Sequence, residues 1–379
     1  MDVALKYYLF SLVMCILGMI AQGLVRPSIV FNAYEEYGLL MVSFLTAAFM
    51  FSRAFSSSYG GILVLSRGYR LVISIGSLMI GFTITAYMVF PPSLYPLIRV
   101  VEGFSAGLLW PMIQSLITAT VPKDWRARAL SLYFVLGSLS YNLGIFMGGV
   151  ISGIYGIEVL FYTAFFMMVA MAFIGFSCTR DVRPVVGGRR YGFKDYIVFS
   201  RRIADLVPII FIVGGVSGLS LDYLLAYSRG VTGISREMAR FYWSYAGYLG
   251  LILSLVISYI ADKWGGEKIN YWIGVGVSIS LIMISFPLPP IILYSLLSLP
   301  VIGSKIFKPI IRSTVAGRTD MPEISVALIN SLSNIGAGFA PLIVTAINML
   351  VGTDFNSGLL VYSLLSFMVM VYLIIRRKR

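Results

Sequence analysis

Residues 99–125 read RVVEGFSAGLLWPMIQSLITATVPKDW. An arginine and a glutamate, three positions apart, stand in an otherwise apolar run that ends in a Pro-Lys-Asp loop. A helix needs roughly 20 apolar residues to cross about 30 Å of hydrocarbon. A charge inside such a helix costs several kcal/mol, of order ~3, unless it is paired or hydrated. The stretch is read as a membrane-spanning helix whose two charges share one face.

The rest of the chain supports a lipid solvent. Of 379 residues, 59% are hydrophobic and 12% are charged, about half the charged fraction of a soluble domain. Twelve apolar runs are predicted as spans: 7–30, 38–60, 70–90, 93–118, 128–152, 157–178, 205–228, 240–260, 270–287, 289–314, 325–350 and 356–375. Prolines alone separate two pairs of them, at Pro91–Pro92 and around Pro287, Pro289 and Pro290, as in tight hairpins. The first run is too long for a cleavable signal and is read as an uncleaved span. The expected fold class is all-α integral membrane, with twelve transmembrane helices in two six-helix bundles.

Composition also excludes. There is no histidine, and Cys15 and Cys178 both lie in apolar runs. This leaves no basis for a disulfide framework, a histidine or cysteine metal centre, or haem. No phosphate-binding loop of the G-x-x-x-x-G-K-[ST] type is present. No cofactor and no metal are expected. The net charge of +13 has no basic polar domain to carry nucleic acid. It follows topology instead. With both termini inside, twenty Lys and Arg fall in cytoplasmic segments and three, Arg229, Arg236 and Arg240, outside. That bias places both termini in the cytoplasm of a multi-pass plasma-membrane protein.

The chain repeats itself. Pro111 and Ser115 fall on Pro309 and Ser313 at an offset of 198, and Ala129–Leu130 on Ala327–Leu328. The polar stretch 179–204 carries seven Lys or Arg and separates the copies. The expected domains are 1–178, a cytoplasmic basic linker at 179–204, and 205–379. Internal duplication of this kind places a solute site where the repeats meet.

At these residues the chain resembles the major facilitator superfamily. That family's cytoplasmic loop reads roughly G-x-x-x-D-R/K-x-G-R/K. Ser258 to Gly265, with Asp262 and Lys263, is similar to it; the first-half copy keeps Gly61, Gly68 and Arg70 but has Leu65 in the acid's place. Arg99-Val-Val-Glu102-Gly103-Phe-Ser-Ala-Gly107 resembles the family's R-x-x-Q-G-x-G-A-A. The loop with Arg126 and Arg128 also looks like the family. Gly144-Ile-Phe-Met-Gly148-Gly149 is similar to its G-P-x-x-G-G motif, with Ile145 in place of proline. The resemblance implies alternating access by two rocking bundles. It points to secondary transport of a small organic solute, with no enzymatic activity, and with proton-coupled drug or metabolite efflux as the first reading. Uptake of an organic anion or a sugar is the alternative. A lipid-acting membrane enzyme and a non-transporting receptor are the remote ones. The expected partners are a small-molecule solute, protons and the bilayer, with a monomer as the working unit.

The intramembrane charges are the candidate working residues. Arg99 and Glu102 are read as a solute-binding or proton-coupling pair, against a static ion pair. Arg26 and Asp222 fall at similar depth on repeat-related helices, which suggests an ion pair closing an external gate; Asp222 as proton carrier is the alternative. Lys305 is read as lining a cavity. Asp262, Lys263, Gly265, Gly61, Arg70, Arg126 and Arg128 are expected at conformational locks. Gly103, Gly107, Gly144, Gly148 and Gly149 lie at spacings that let helix backbones approach. Arg53 and the three external arginines are left without a role.

Overall fold

The computed structural model describes residues 3–179, 204, 206–264, 266–316, 322–352 and 355–377. Most of the expected linker at 179–204, and Gly265, lie outside them. The side chains of Asp262 and Lys305, and the surroundings of Gly61, lie outside the described part too.

Among the described residues every regular element is helical. The helices are α1 (Val3–Val89), α2 (Tyr95–Thr120), α3 (Arg126–Tyr155), α4 (Ile157–Cys178), α5 (Val207–Gly218), α6 (Leu224–Thr232), α7 (Arg236–Trp264), α8 (Gly266–Ile284), α9 (Pro290–Ala316), α10 (Pro322–Val351) and α11 (Ser357–Arg377). Eight stretches of the described residues are long and apolar enough to cross a membrane, and Tyr271–Ile284 and Pro290–Gly303 are shorter apolar helices. Large apolar side chains face outward, among them Phe166, Phe173, Ile252 and Met368. Such surfaces belong in lipid.

The helix breaks obey backbone chemistry. Proline occupies the first turn of α2 and α5, where its missing N–H has no partner to lose. Gly156 and Gly233 take positive φ at helix junctions, and Gly38 and Gly68 do so inside α1. An unbroken rod of α1's length would measure about 130 Å. The left-handed glycines let the chain take a backbone conformation that a residue with a side chain would adopt only under strain. Here the structure differs from expectation: residues 61–70, predicted as a loop, are helical except for the turn at Gly68. The reversals consume a glycine rather than a loop.

The chain divides into two compact units. The first comprises Met1–Glu36, Phe51–Gly188 and Ser235–Ser244; the second comprises Tyr37–Met50, Arg189–Ile234 and Tyr245–Arg379. The division does not follow the chain. The two transposed segments, Tyr37–Met50 and Ser235–Ser244, begin 198 positions apart, the offset of the internal repeat.

Glycine sets the packing of each unit. In the first, α1 before Gly38 crosses α3: a Cβ on Gly144 would strike the carbonyl of Ile20 and lie 3.1 Å from Gly23 Cα. A Cβ on Gly107 of α2 would collide with Ser56 Oγ and lie 2.8 Å from the Arg53 carbonyl. Gly103 is buried on the same helix. Ser74 donates to the carbonyl of Ala172 at 3.0 Å, tying α1 after Gly68 to α4. In the second unit α5 crosses α10 in the same manner, with Gly214 against Ser333, Gly218 against Ala337 and Gly336 against Phe211. Without a hydrophobic force between helices in lipid, close backbone approach supplies the packing.

Candidate functional site

The first unit buries a charged cluster. Arg99 is completely buried, and Glu102, one helical turn on in α2, is nearly so. Arg99 Nη1 donates to Glu102 Oε2 at 2.8 Å. Tyr87, at the end of α1, donates its hydroxyl to the same oxygen at 2.8 Å. The Arg99 guanidinium lies 5.9 Å from the Tyr87 ring centroid. Tyr95 supports the tyrosine, donating to the Tyr87 carbonyl at 2.9 Å and meeting its ring edge-on. Arg26 is buried in α1, within electrostatic reach of the Tyr87 hydroxyl. One carboxylate oxygen thus accepts from a cation and a phenol. Gln22 and Asn142 are also buried in this unit, and neither amide nitrogen has a partner among the described residues.

The second unit buries Asp222. It lies in a π turn, Leu219–Tyr223, between α5 and α6. Such turns recur at functional positions. Thr46 donates to Asp222 Oδ2 at 3.0 Å. Nearby in the chain, Ser43 shares a hydrogen bond of 2.7 Å with Thr345 and donates to the Pro341 carbonyl at 3.0 Å. The repeat-related counterpart of Thr46 is Ser244, which donates to the Asn142 carbonyl at 2.9 Å in the first unit.

The partners of Arg236 and Arg240, both expected outside, are side chains and carbonyls of α1. Arg236 donates Nε to Glu35 Oε1 at 3.0 Å, Nη2 to Glu35 Oε2, and Nη1 to Asn32 Oδ1 at 2.8 Å. Arg240 is buried, donating Nη1 to the Leu24 carbonyl at 2.9 Å and Nη2 to Ser28 Oγ. Its guanidinium occupies the space left by the absent side chain of Gly148, and Phe241 lies over Gly149. Replacing Arg240 with alanine empties that site and is expected to cost on the order of 2 kcal/mol. Arg236→Ala removes a half-exposed pair and should cost under about 1 kcal/mol. Melting of the purified variants in detergent checks the order.

The expected cytoplasmic residues have local partners. The Arg70 guanidinium stacks 3.5 Å from the Phe176 ring centroid, and Arg128 lies 5.1 Å from that of Trp125. Arg126 Nε donates to the Val121 carbonyl at 3.3 Å. Lys263 is exposed, its ammonium 4.6 Å from the Tyr259 ring centroid. The sequence by itself does not single out Tyr87, Thr46, Gln22 or Asn142. Gln22 and Asn142 carry a usable signal, as amides in apolar runs; Tyr87 and Thr46 carry none.

Residues 8–341 match the family model of the Major Facilitator Superfamily. The chain belongs to that superfamily. Solved structures agree on the fold. A nucleoside transporter, NupG, superposes with a TM-score of 0.78 at 12% identity, covering 97% of this chain and 98% of that one. A D-xylose-proton symporter gives 0.71 at 13% identity, with 97% and 96% covered. The E. coli fucose:proton symporter FucP gives 0.65 at 13% identity, with 96% of each covered. This facilitator is therefore a multi-pass membrane transport protein, and its buried charges sit in a fold of that class.

Proposed function

We propose that the protein is a proton-coupled symporter for a small, uncharged, hydroxyl-rich solute of the sugar or nucleoside kind. The observation that carries this reading is the buried Glu102, held by both Arg99 and Tyr87. In this reading the carboxylate is the proton site, and its charge sets how tightly it holds the guanidinium and the phenol. The unpartnered amide nitrogens of Gln22 and Asn142 favour a solute rich in hydrogen-bond acceptors, because a buried donor left unpaired costs about 1–3 kcal/mol. An anionic solute is less well served, since Arg99 already has its counter-charge. The sequence alone puts efflux first. The similar structures, named as nucleoside, fucose:proton and D-xylose-proton transporters, favour the uptake alternative.

The same reading takes the chain as twelve spans in two halves, 1–178 and 205–379, with both ends in the cytoplasm. Dividing Leu5–Ser57 at Gly38, and adding the two shorter apolar helices and Arg236–Trp264, brings the eight apolar stretches to twelve. Proteoliposomes with an acidic exterior test the function. Labelled D-xylose, L-fucose and uridine are offered in turn. At least one should accumulate above its outside concentration and run back out when a protonophore is added. Accumulation that ignores the protonophore, or no uptake of any of the three, rejects the proposal.

A further inference from the structure

The second unit contains a cavity of about 400 Å³, lined in part by Tyr227, Val231, Pro287, Asn348, Phe355 and Asn356. It has no part in the chemistry of Glu102, which lies in the first unit. Among the described residues its lining carries no charge, which favours an uncharged guest. Two aromatic rings, Tyr227 and Phe355, offer flat apolar faces.

The polar atoms can be accounted for one by one. Asn348 is saturated. It donates to Tyr223 Oη at 3.0 Å and to Asn356 Oδ1 at 2.7 Å, and accepts from Ser357 Oγ at 3.1 Å and Gly358 N at 2.6 Å. Asn356 Oδ1 accepts a second bond, from Leu359 N at 2.9 Å. Asn356 Nδ2 donates once, to Tyr223 Oη at 2.8 Å. Among the described residues, the second amide N–H of the buried Asn356 has no acceptor assigned. Tyr227 donates to the Ile284 carbonyl at 2.9 Å and keeps its lone pairs. The cavity thus offers one donor, one acceptor and two rings.

We propose that this cavity is a second binding site, for a small uncharged molecule bearing a flat ring and a hydrogen-bond acceptor, and that its occupancy is felt at Asp222. A volume near 400 Å³ is at the small end for ligand pockets, roughly 300–1,000 Å³. The link to Asp222 runs through hydrogen bonds to Tyr223 and the backbone of the π turn. Both asparagines donate to Tyr223, the last residue of the π turn that holds Asp222, and Asp222 in turn accepts from Thr46. A guest that takes the second N–H of Asn356 fixes the orientation of the amide whose first N–H holds Tyr223. Binding itself stands independently of what is transported; the value of the coupling rests on the symport reading.

Phenyl β-D-glucoside, neutral with one ring and several oxygens, is the probe. It should raise the melting temperature of the purified full-length protein saturably. Val231→Trp, or Leu39→Phe at another lining position, should fill the cavity and abolish the rise, each variant melting cooperatively without probe. Arg99→Ala should keep it. Asp222→Asn, which does not touch the cavity, should change the probe's affinity by at least about fivefold, because coupling is reciprocal. No stabilisation of the wild type overturns the site. Stabilisation that survives both filling variants and disappears in Arg99→Ala assigns the probe to the Glu102 cluster and also overturns it, while leaving the transport reading intact. Unchanged affinity in Asp222→Asn overturns the coupling alone. Failure of the symport reading shows separately, as absent proton-driven uptake in proteoliposomes.

Discussion

Proteoliposomes carrying Glu102→Gln will exchange solute across the membrane but will not concentrate it. The amide keeps the size of the glutamate, and its oxygen can still accept from Arg99 and Tyr87. What it cannot do is gain or lose a proton. One proton moving down a gradient of one pH unit supplies about 1.4 kcal/mol, which sustains roughly tenfold accumulation of a co-transported solute. The wild type should approach that ratio, and Glu102→Gln should remain near one at every imposed gradient. Counterflow of labelled against unlabelled solute should continue, since exchange requires no net proton movement. Proton-driven accumulation by Glu102→Gln would remove Glu102 from the coupling step. Loss of counterflow together with accumulation would instead make the cluster a structural ion pair.

The second large effect is structural. Gly144→Leu places a side chain where α1 and α3 meet through their backbones. Its Cβ alone would strike the carbonyl of Ile20. Neither neighbour is a flexible side-chain end, so the helices must separate. Overpacking typically costs 1–3 kcal/mol, and a clash with main chain belongs at or above about 3 kcal/mol. The yield of monodisperse protein after detergent extraction should fall to near nothing. Gly276→Leu is the control: a Cβ there meets nothing within 4 Å, and its yield should match the wild type. Equal yields from both variants would show that the crossing can open.

The fold is largely legible in the sequence because lipid leaves few choices. Prolines at 91–92 and 287–290 mark hairpins, and the helices end at Val89 and Ile284 and resume at Tyr95 and Pro290. Arg99 and Glu102 stand out because a charge in an apolar run demands a partner, and the three-residue spacing names it. Tyr87 does not, because a tyrosine in an apolar run is also a packing residue; only the approach of α1's end to α2 makes its hydroxyl a ligand of Glu102. Arg236 and Arg240 register as exceptions to the charge bias. Their partners, Glu35, Asn32, Leu24 and Ser28, lie about two hundred positions away, beyond any local pattern. The π turn at Leu219–Tyr223 is invisible for another reason. Periodicity reports which residues are apolar, and a turn wound one residue wide leaves the apolar content unchanged.

That wide turn carries slack. An α-helix spends about 100° of rotation on each residue, and Leu219–Tyr223 holds one residue beyond what the surrounding spiral requires. Rewinding it would spin α6 about its own axis while α5 stayed still, carrying the phenols of Tyr223 and Tyr227 to new bearings without unthreading a single neighbouring coil. Such a rotation would need no hinge loop, because the extra residue already lies within one continuous rod.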